Sequence, residues 1–262
     1  MAKTNKTVII TGAQGFIGSH TAKVFKEAGW YVVGIDRTPT IPESTKYIDK
    51  LVTSDFVDSI AIIASVFNAE AIIHCAGTSL VGPSITNPAE YYQNNSAKTN
   101  QMMQQLHQHK WHGIVVFSSS AAVYGIPEVP NSITELATKQ PINPYGMSKL
   151  MCEHIVSDAC RAYNIRGIAL RYFNAAGCDL DCTLGHVQND THMIPRVLHA
   201  YHYKNPFTLY GNDYDTNDGT CIRDYLHVTD IAVAHLEAVK LASKMQPNQF
   251  DCFNLGTGIG YS

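Results

Sequence analysis

The chain has 262 residues, 45% hydrophobic and 16% charged, with a formal net charge of -3. That is enough for a substantial core, and the absence of a basic run or basic amphipathic stretch argues against nucleic acid or acidic membrane surfaces as partners. Seven cysteines, an odd number with no Cys-x-x-Cys pair, point to reduced thiols in a cytoplasm, and no apolar run reaches bilayer-spanning length.

Residues 1–6 lead straight into an apolar strand, Thr7–Thr11, with no signal segment before it. Further apolar, β-branched runs at 31–35, 71–75, 113–117 and 167–173 alternate with amphipathic segments near 16–28, 56–68, 90–110 and 145–163. Continuous apolar strands alternating with helices predict a parallel sheet buried on both faces, hence a doubly wound α/β fold. After Asn174 the pattern changes. Residues 178–190 are polar, 191–204 carry a helical pattern, and 211–219 form a long turn-rich loop of the kind that is usually functional. A second, smaller region is therefore expected over 174–262. Residues 250–255 read as a strand, 256–260 as a turn, and Ser262 stands where an N-cap would open a helix. This second region is thus expected to be incomplete in this chain.

Thr11-Gly12-Ala-Gln-Gly15-Phe16-Ile17-Gly18 follows the first strand and opens the first helix. Its glycines permit a tight turn and close backbone approach, and the helix N-terminus suits a pyrophosphate. Asp36, at the end of the second strand, can accept both ribose hydroxyls of an adenosine and repel a 2′-phosphate, which favours NAD over NADP. Arg37 beside it can serve a phosphate instead.

Tyr145 and Lys149 lie four residues apart on a predicted helix. That spacing stacks them on one face, so an ammonium sits beside a phenol and helps it ionise, an arrangement for a general base. Ser120 closes the strand that ends in Ser118-Ser119-Ser120. It is expected at the C-terminal edge of the sheet, where ligands of such sheets bind, and its hydroxyl can both donate and accept. His107, His109 and His112, and His199 and His202, have no accompanying ligand set with metal spacing and read as solvated helix faces. No metal is expected.

The three glycines with Tyr145 and Lys149 resemble the extended short-chain dehydrogenase/reductases. So do His74-Cys75-Ala76-Gly77, Tyr91-Tyr-Gln-Asn-Asn95, Phe117-Ser-Ser-Ser120-Ala-Ala-Val-Tyr-Gly125, Leu170-Arg-Tyr-Phe173-Asn174, Gly211-Asn-Asp-Tyr214 and Asp218-Gly-Thr-Cys-Ile-Arg223-Asp-Tyr225-Leu-His227. Together these are similar to the UDP-glucose 4-epimerase family along essentially the whole chain.

The resemblance implies a Rossmann-like NAD-binding domain over 1–173 and a partial substrate region over 174–262. It implies that NAD is held by Gly12, Gly15, Phe16, Ile17, Gly18, Asp36, Asp55, Phe56, Cys75, Ala76, Gly77, Asn95, Ser118, Tyr145, Lys149 and Phe173. Asn174, His192, Tyr210, Arg223 and Tyr225 would meet the uridine diphosphate, with Ser120 and Tyr145 at the sugar. Arg223 suits diphosphate oxygens; the alternative is a structural ion pair with Asp224 or Asp230.

The implied reaction inverts C4 of a UDP-hexose through a 4-keto sugar. Two alternatives remain. A 4,6-dehydratase needs an added acid and base, which those enzymes place as Asp-Glu where this chain has Ala121-Ala122. A non-catalytic NAD or nucleotide-sugar module would suit a chain that ends at Ser262. Many relatives also carry a lysine where this chain has Ser79. Met102, Met103 and Leu106 are expected on a helix packing face that in relatives joins a second subunit, implying a homodimer.

Overall fold

The structure is a computed structural model and describes residues 6–127, 133–186 and 192–262. Residues 1–5 ahead of the first strand, the last part of the polar stretch after 178 and the first residue of the helix expected at 191 lie outside the described residues.

The strands are β1 (Thr7–Thr11), β2 (Tyr31–Asp36), β3 (Lys50–Thr53), β4 (Ala71–His74), β5 (Ile114–Ser120), β6 (Arg166–Tyr172), β7 (Asn174–Ala176), β8 (Arg223–His227), β9 (Phe250–Leu255) and β10 (Gly260–Tyr261). The helices are α1 (Phe16–Glu27), α2 (Pro42–Thr45), α3 (Phe56–Val66), α4 (Val81–Thr86), α5 (Pro88–Tyr91), α6 (Lys98–Gln108), α7 (Pro144–Tyr163), α8 (Met193–Tyr203) and α9 (Val228–Ala242). A π-helical stretch, Tyr92–Ala97, joins α5 to α6.

A parallel sheet runs in the order β3-β2-β1-β4-β5-β6-β9. Because alternate strand residues point to opposite faces, Val8, Ile10, Ile73, Val116 and Leu170 pack with residues of α1 and α9. Ile9, Val33, Ile72 and Val115 pack with residues of α3, α6 and α7. Both faces are covered, as the continuous apolar strands require. Connection order reverses between β1 and β4, the crevice where ligands bind in such sheets.

Three expectations need correction. Residues 228–255, expected in the second region, lie in the large sheet and its layers: β9 pairs with β6 from Gly167↔Phe250 to Tyr172↔Leu255, and Ile231, Leu236 and Val239 of α9 join its core. What stands apart is a small sheet, β10-β8-β7, with α8 and its loops. Met102, Met103 and Leu106 are buried within this chain, where they fill the core against α3 and the sheet, so they cannot form a subunit contact. The segment expected as one helix over 90–110 is interrupted by the π-helical stretch.

The loop after β7 is fastened to the large sheet's layer by α1. Lys23 Nζ donates to Asp179 Oδ2 at 2.8 Å, while Thr183 Oγ1 and the Leu184 amide also donate to Asp179, both at 2.7 Å. Leu184 then enters the same core as α1 and α9.

Candidate active site

The glycine turn lies at the crevice between β1 and β4. Gly12 has φ +67°, its amide donates to Ile35 O at 2.8 Å, and a Cβ there would stand 2.9 Å from Ala76 N. A Cβ on Gly18 would stand 2.1 Å from Gly12 O, so the first turn of α1 seats directly on the loop. Gly15 is the N-cap and has no side chain to cap the helix, leaving the N-terminal amides of Phe16 and Ile17 to a ligand.

Asp36 ends β2 beside this turn. Its two carboxylate oxygens accept from the Gln14 and Thr38 amides, each at 2.9 Å. Arg37 instead lies 3.9 Å from Asp55. Asp55 caps α3 through the Val57 amide at 3.3 Å and takes Lys98 Nζ at 2.5 Å. The basic neighbour of Asp36 is therefore drawn to a different carboxylate. Phe56 is buried and meets His74 edge-on, with ring centroids 4.9 Å apart.

His74, at the end of β4, bridges two hydroxyls: Nδ1 to Thr11 Oγ1 at 2.8 Å and Nε2 to Thr99 Oγ1 at 2.9 Å. Burial, assisted by the charge of Lys149, pushes its pKa down to about 3, so the bridge is neutral. Thr11 Oγ1 also accepts the Ala76 amide at 3.2 Å, fixing the loop that faces Gly12. Burial pushes the Cys75 thiol up to about 11, leaving it an inert neighbour of Ser118 Oγ at 3.2 Å.

A Cβ on Gly77 would stand 2.9 Å from Asn95 Oδ1. Asn95 accepts the Thr78 amide at 2.8 Å and donates to Thr78 O at 3.0 Å and Ser148 Oγ at 2.9 Å. Its amide thus ties the loop after β4 to α7. Ser79 is exposed on that loop.

Asn143 opens α7 by accepting the Gly146 amide at 2.8 Å, with Pro144 in the first turn. Gly146 is required there because a Cβ would lie 2.5 Å from Ala122 O, in the short helical turn Ala121–Val123 that follows β5. That close approach brings the N-terminus of α7 to the end of β5. Lys149 is 6% exposed; its Nζ donates to Ser118 O at 2.8 Å and lies 5.9 Å from the Tyr145 ring centroid. The half-buried Tyr145 ring also meets Tyr91 edge-on, with centroids 6.4 Å apart. Ser120 Oγ accepts the Ala122 amide at 3.2 Å. Ser118, Ser120, Tyr145 and Lys149 are thereby gathered at the C-terminal ends of the strands.

Of the residues expected at the diphosphate, Asn174, Arg223 and Tyr225 share the small sheet. Asn174 is the register partner of Tyr225, and its Nδ2 donates to Asp224 O at 3.1 Å. Arg223 is exposed and donates to Ile222 O at 2.8 Å; among the described residues it makes no ion pair. Asp224 is occupied elsewhere, accepting from the Thr257 amide at 3.0 Å and the Gly258 amide at 2.9 Å. The expected alternative of a structural Arg223–Asp pair is thus not formed. His192 stands at the N-cap position of α8, its ring centroid 5.1 Å from that of His186. Tyr210 is 81% exposed and lies beneath Arg196, 5.0 Å from its guanidinium. Phe173 links the two sheets, its amide donating to Leu255 O at 3.2 Å.

The sequence pattern of the NAD dependent epimerase/dehydratase family matches residues 8–256. The chain belongs to that family. The UDP-glucose 4-epimerase of Halalkalibacterium halodurans is 38% identical over 263 residues, covering 97% of this chain and 76% of that protein. The crystal structure of UDP-glucose 4-epimerase from Brucella ovis in complex with NAD superposes with TM-score 0.92 at 39% identity, over 98% of this chain and 79% of that one. The Bifidobacterium longum UDP-glucose 4-epimerase structure in complex with NAD+ and UDP gives TM-score 0.87 at 34% identity, over 98% and 80% of the two chains.

This family's cofactor fits the residues present. The cradle at Gly12 and Gly18 is one that a Cβ would fill, and Asp36 is pinned beside it by two backbone amides, with no cation on its carboxylate among the described residues. No helix among the described residues is long and apolar enough to cross a membrane.

Sequence reading missed two groups behind the site. His235 of α9, buried and pushed down to about 4 by that burial, lies 3.3 Å from Ser118 Oγ. Ser119, Glu153 and Arg171 form a buried cluster. The available signals were a charge inside an apolar strand at Arg171 and a glutamate four residues beyond Lys149.

Proposed function

We propose that this chain inverts C4 of a UDP-hexose, interconverting UDP-galactose and UDP-glucose through a 4-keto sugar. The observation that carries this is Tyr145, with Lys149 buried beside it, gathered with Ser120 at the strand ends next to a glycine cradle suited to NAD. Bound NAD supplies a hydride acceptor and donor for C4. Gly12, Gly15, Phe16, Ile17 and Gly18 hold its pyrophosphate and Asp36 its ribose; Asp55, Phe56, Cys75, Ala76, Gly77, Asn95, Ser118 and Phe173 complete its binding surface.

Tyr145 takes the proton from the sugar 4-hydroxyl and later returns it to the same oxygen. Lys149 places its ammonium beside the phenol, 5.9 Å from the ring centroid. Ser120 orients the hydroxyl, since it can donate and accept at once. Inversion requires the ketone to turn between the two transfers, so the sugar must be held loosely and the nucleotide firmly. Arg223 grips the diphosphate, with Asn174, His192, Tyr210 and Tyr225 along the uridine side.

Dehydration is disfavoured because Ala121 and Ala122 supply neither acid nor base where a 4,6-dehydratase needs both. Incubation with NAD and UDP-galactose, without added reductant, is expected to yield UDP-glucose. Absence of any product would refute the epimerase reading and favour a binding module.

The chain is proposed to act in a cytoplasm and as a homodimer through the outer faces of α3 and α6. Ile62 and Val66 are 59% and 71% exposed on α3, although the inward methionines contribute nothing to that contact. Sedimentation equilibrium is expected to give twice the chain mass; monomer alone at micromolar concentration would exclude the dimer.

A further inference from the structure

Beneath the site lies a buried charged pair that the reaction as drawn does not use. Glu153 and Arg171 are 4% and 2% exposed. Arg171 Nε donates to Glu153 Oε1 at 2.8 Å and Nη2 to Oε2 at 2.6 Å. Ser119 Oγ donates to the same Oε1 at 2.5 Å. Ser119 and Arg171 are register partners on β5 and β6, and Glu153 stands about one helical turn beyond Lys149 on α7. One carboxylate therefore joins the three elements that carry the site, one residue below Ser120 and one turn below Lys149. Arg171 Nη1 also donates to the Tyr124 hydroxyl at 2.7 Å, and Tyr124 donates to Asn254 Oδ1 at 2.7 Å. This ties the segment after Ser120, and β9, into the same bracket.

Stability alone does not account for these charges, because a buried ion pair is often replaceable by well-packed apolar groups at no loss. Unlike apolar packing, paired charges with several hydrogen bonds fix relative direction as well as distance. We infer that Glu153, locked by Arg171, is a positioning residue that sets the placement of Ser120 on β5 relative to Tyr145 and Lys149 on α7, acting through the Ser119 hydroxyl. The kinetic consequence rests on the epimerase reading above. A misplacement of about 1 Å costs on the order of 100-fold in rate.

Ser119→Ala removes one hydrogen bond and leaves the ion pair; Ser119→Thr keeps the hydroxyl. With NAD bound, the alanine variant is expected to lose about tenfold in kcat while KM and NAD affinity stay within about twofold, and the threonine variant to recover most of the loss. By hydrogen exchange, amides in 120–124 and 145–149 are expected to open faster in the alanine variant, with β1 and β2 unchanged.

Wild-type kcat in a folded alanine variant, or unchanged exchange at both segments, would overturn the inference. So would an equal loss of kcat, NAD affinity and protection throughout, which marks a purely structural role. If the wild type converts no UDP-sugar, the epimerase reading fails, and exchange alone still decides whether the bracket positions these segments. Should the alanine variant not fold, Tyr124→Phe, which cuts the bracket at its other end, is judged by the same readouts.

Discussion

Tyr145→Phe is expected to lower the turnover of UDP-galactose by about 10²–10⁴-fold, the usual contribution of a general acid–base group, while NAD binding and the fold persist. The structure separates these effects. Among the described residues the Tyr145 hydroxyl makes no hydrogen bond, and the ring keeps its contacts with Tyr91 and Lys149 without it. Its removal should change stability by no more than about 0.5 kcal/mol, as for surface changes that break no structural interaction. Steady-state formation of UDP-glucose, alongside NAD titration by fluorescence quenching, measures both quantities on one preparation. A variant turning over near the normal rate would remove Tyr145 from its proposed role, and a variant that also lost NAD would assign the residue to binding.

Gly18→Ala is expected to lower NAD affinity by at least about 100-fold, equivalent to about 3 kcal/mol, and to reduce stability by a further ~1–3 kcal/mol, as overpacking does. The added methyl would stand 2.1 Å from Gly12 O and 2.9 Å from Gly12 C. Those are backbone atoms, so no side-chain rotation relieves the clash and the turn itself must open. The amides at the start of α1 would then no longer converge on one anion. Gly82→Ala is the control, since nothing lies within 4 Å of a Cβ there. Calorimetric titration with NAD and a thermal melt of both variants decide the matter; NAD affinity equal to the parent in Gly18→Ala would show that the turn tolerates a side chain.

Much of the cofactor half is legible in the sequence because its signals are local. Apolar runs such as Thr7–Thr11 and Ala71–His74 are continuous because their strands are buried on both faces. The glycine turn follows from backbone sterics within eight residues, and the Tyr145 and Lys149 pairing from helical period alone. Lys50–Thr53 escaped notice because it is an edge strand with burial on neither end, so no apolar run announces it.

The opposite error arose at Met102, Met103 and Leu106. Amphipathic period identifies an apolar face but not which partner covers it, and only the packing of α6 against α3 and the sheet shows that the partner is internal. Likewise, Phe250–Leu255 reads as a strand by itself, yet its place beside β6 depends on a pairing some 80 residues away in sequence.

The sequence by itself determined that this chain forms a doubly wound parallel sheet with a dinucleotide turn and a tyrosine–lysine pair, since each depends on period or sterics over a few residues. Only the tertiary structure decided that Arg37 leans to Asp55, that Arg223 has no acidic partner among the described residues, and that Glu153 joins Ser119 to Arg171. These are choices among several charged partners available to each side chain. They are made by burial and by contacts between distant segments, which no local spacing encodes.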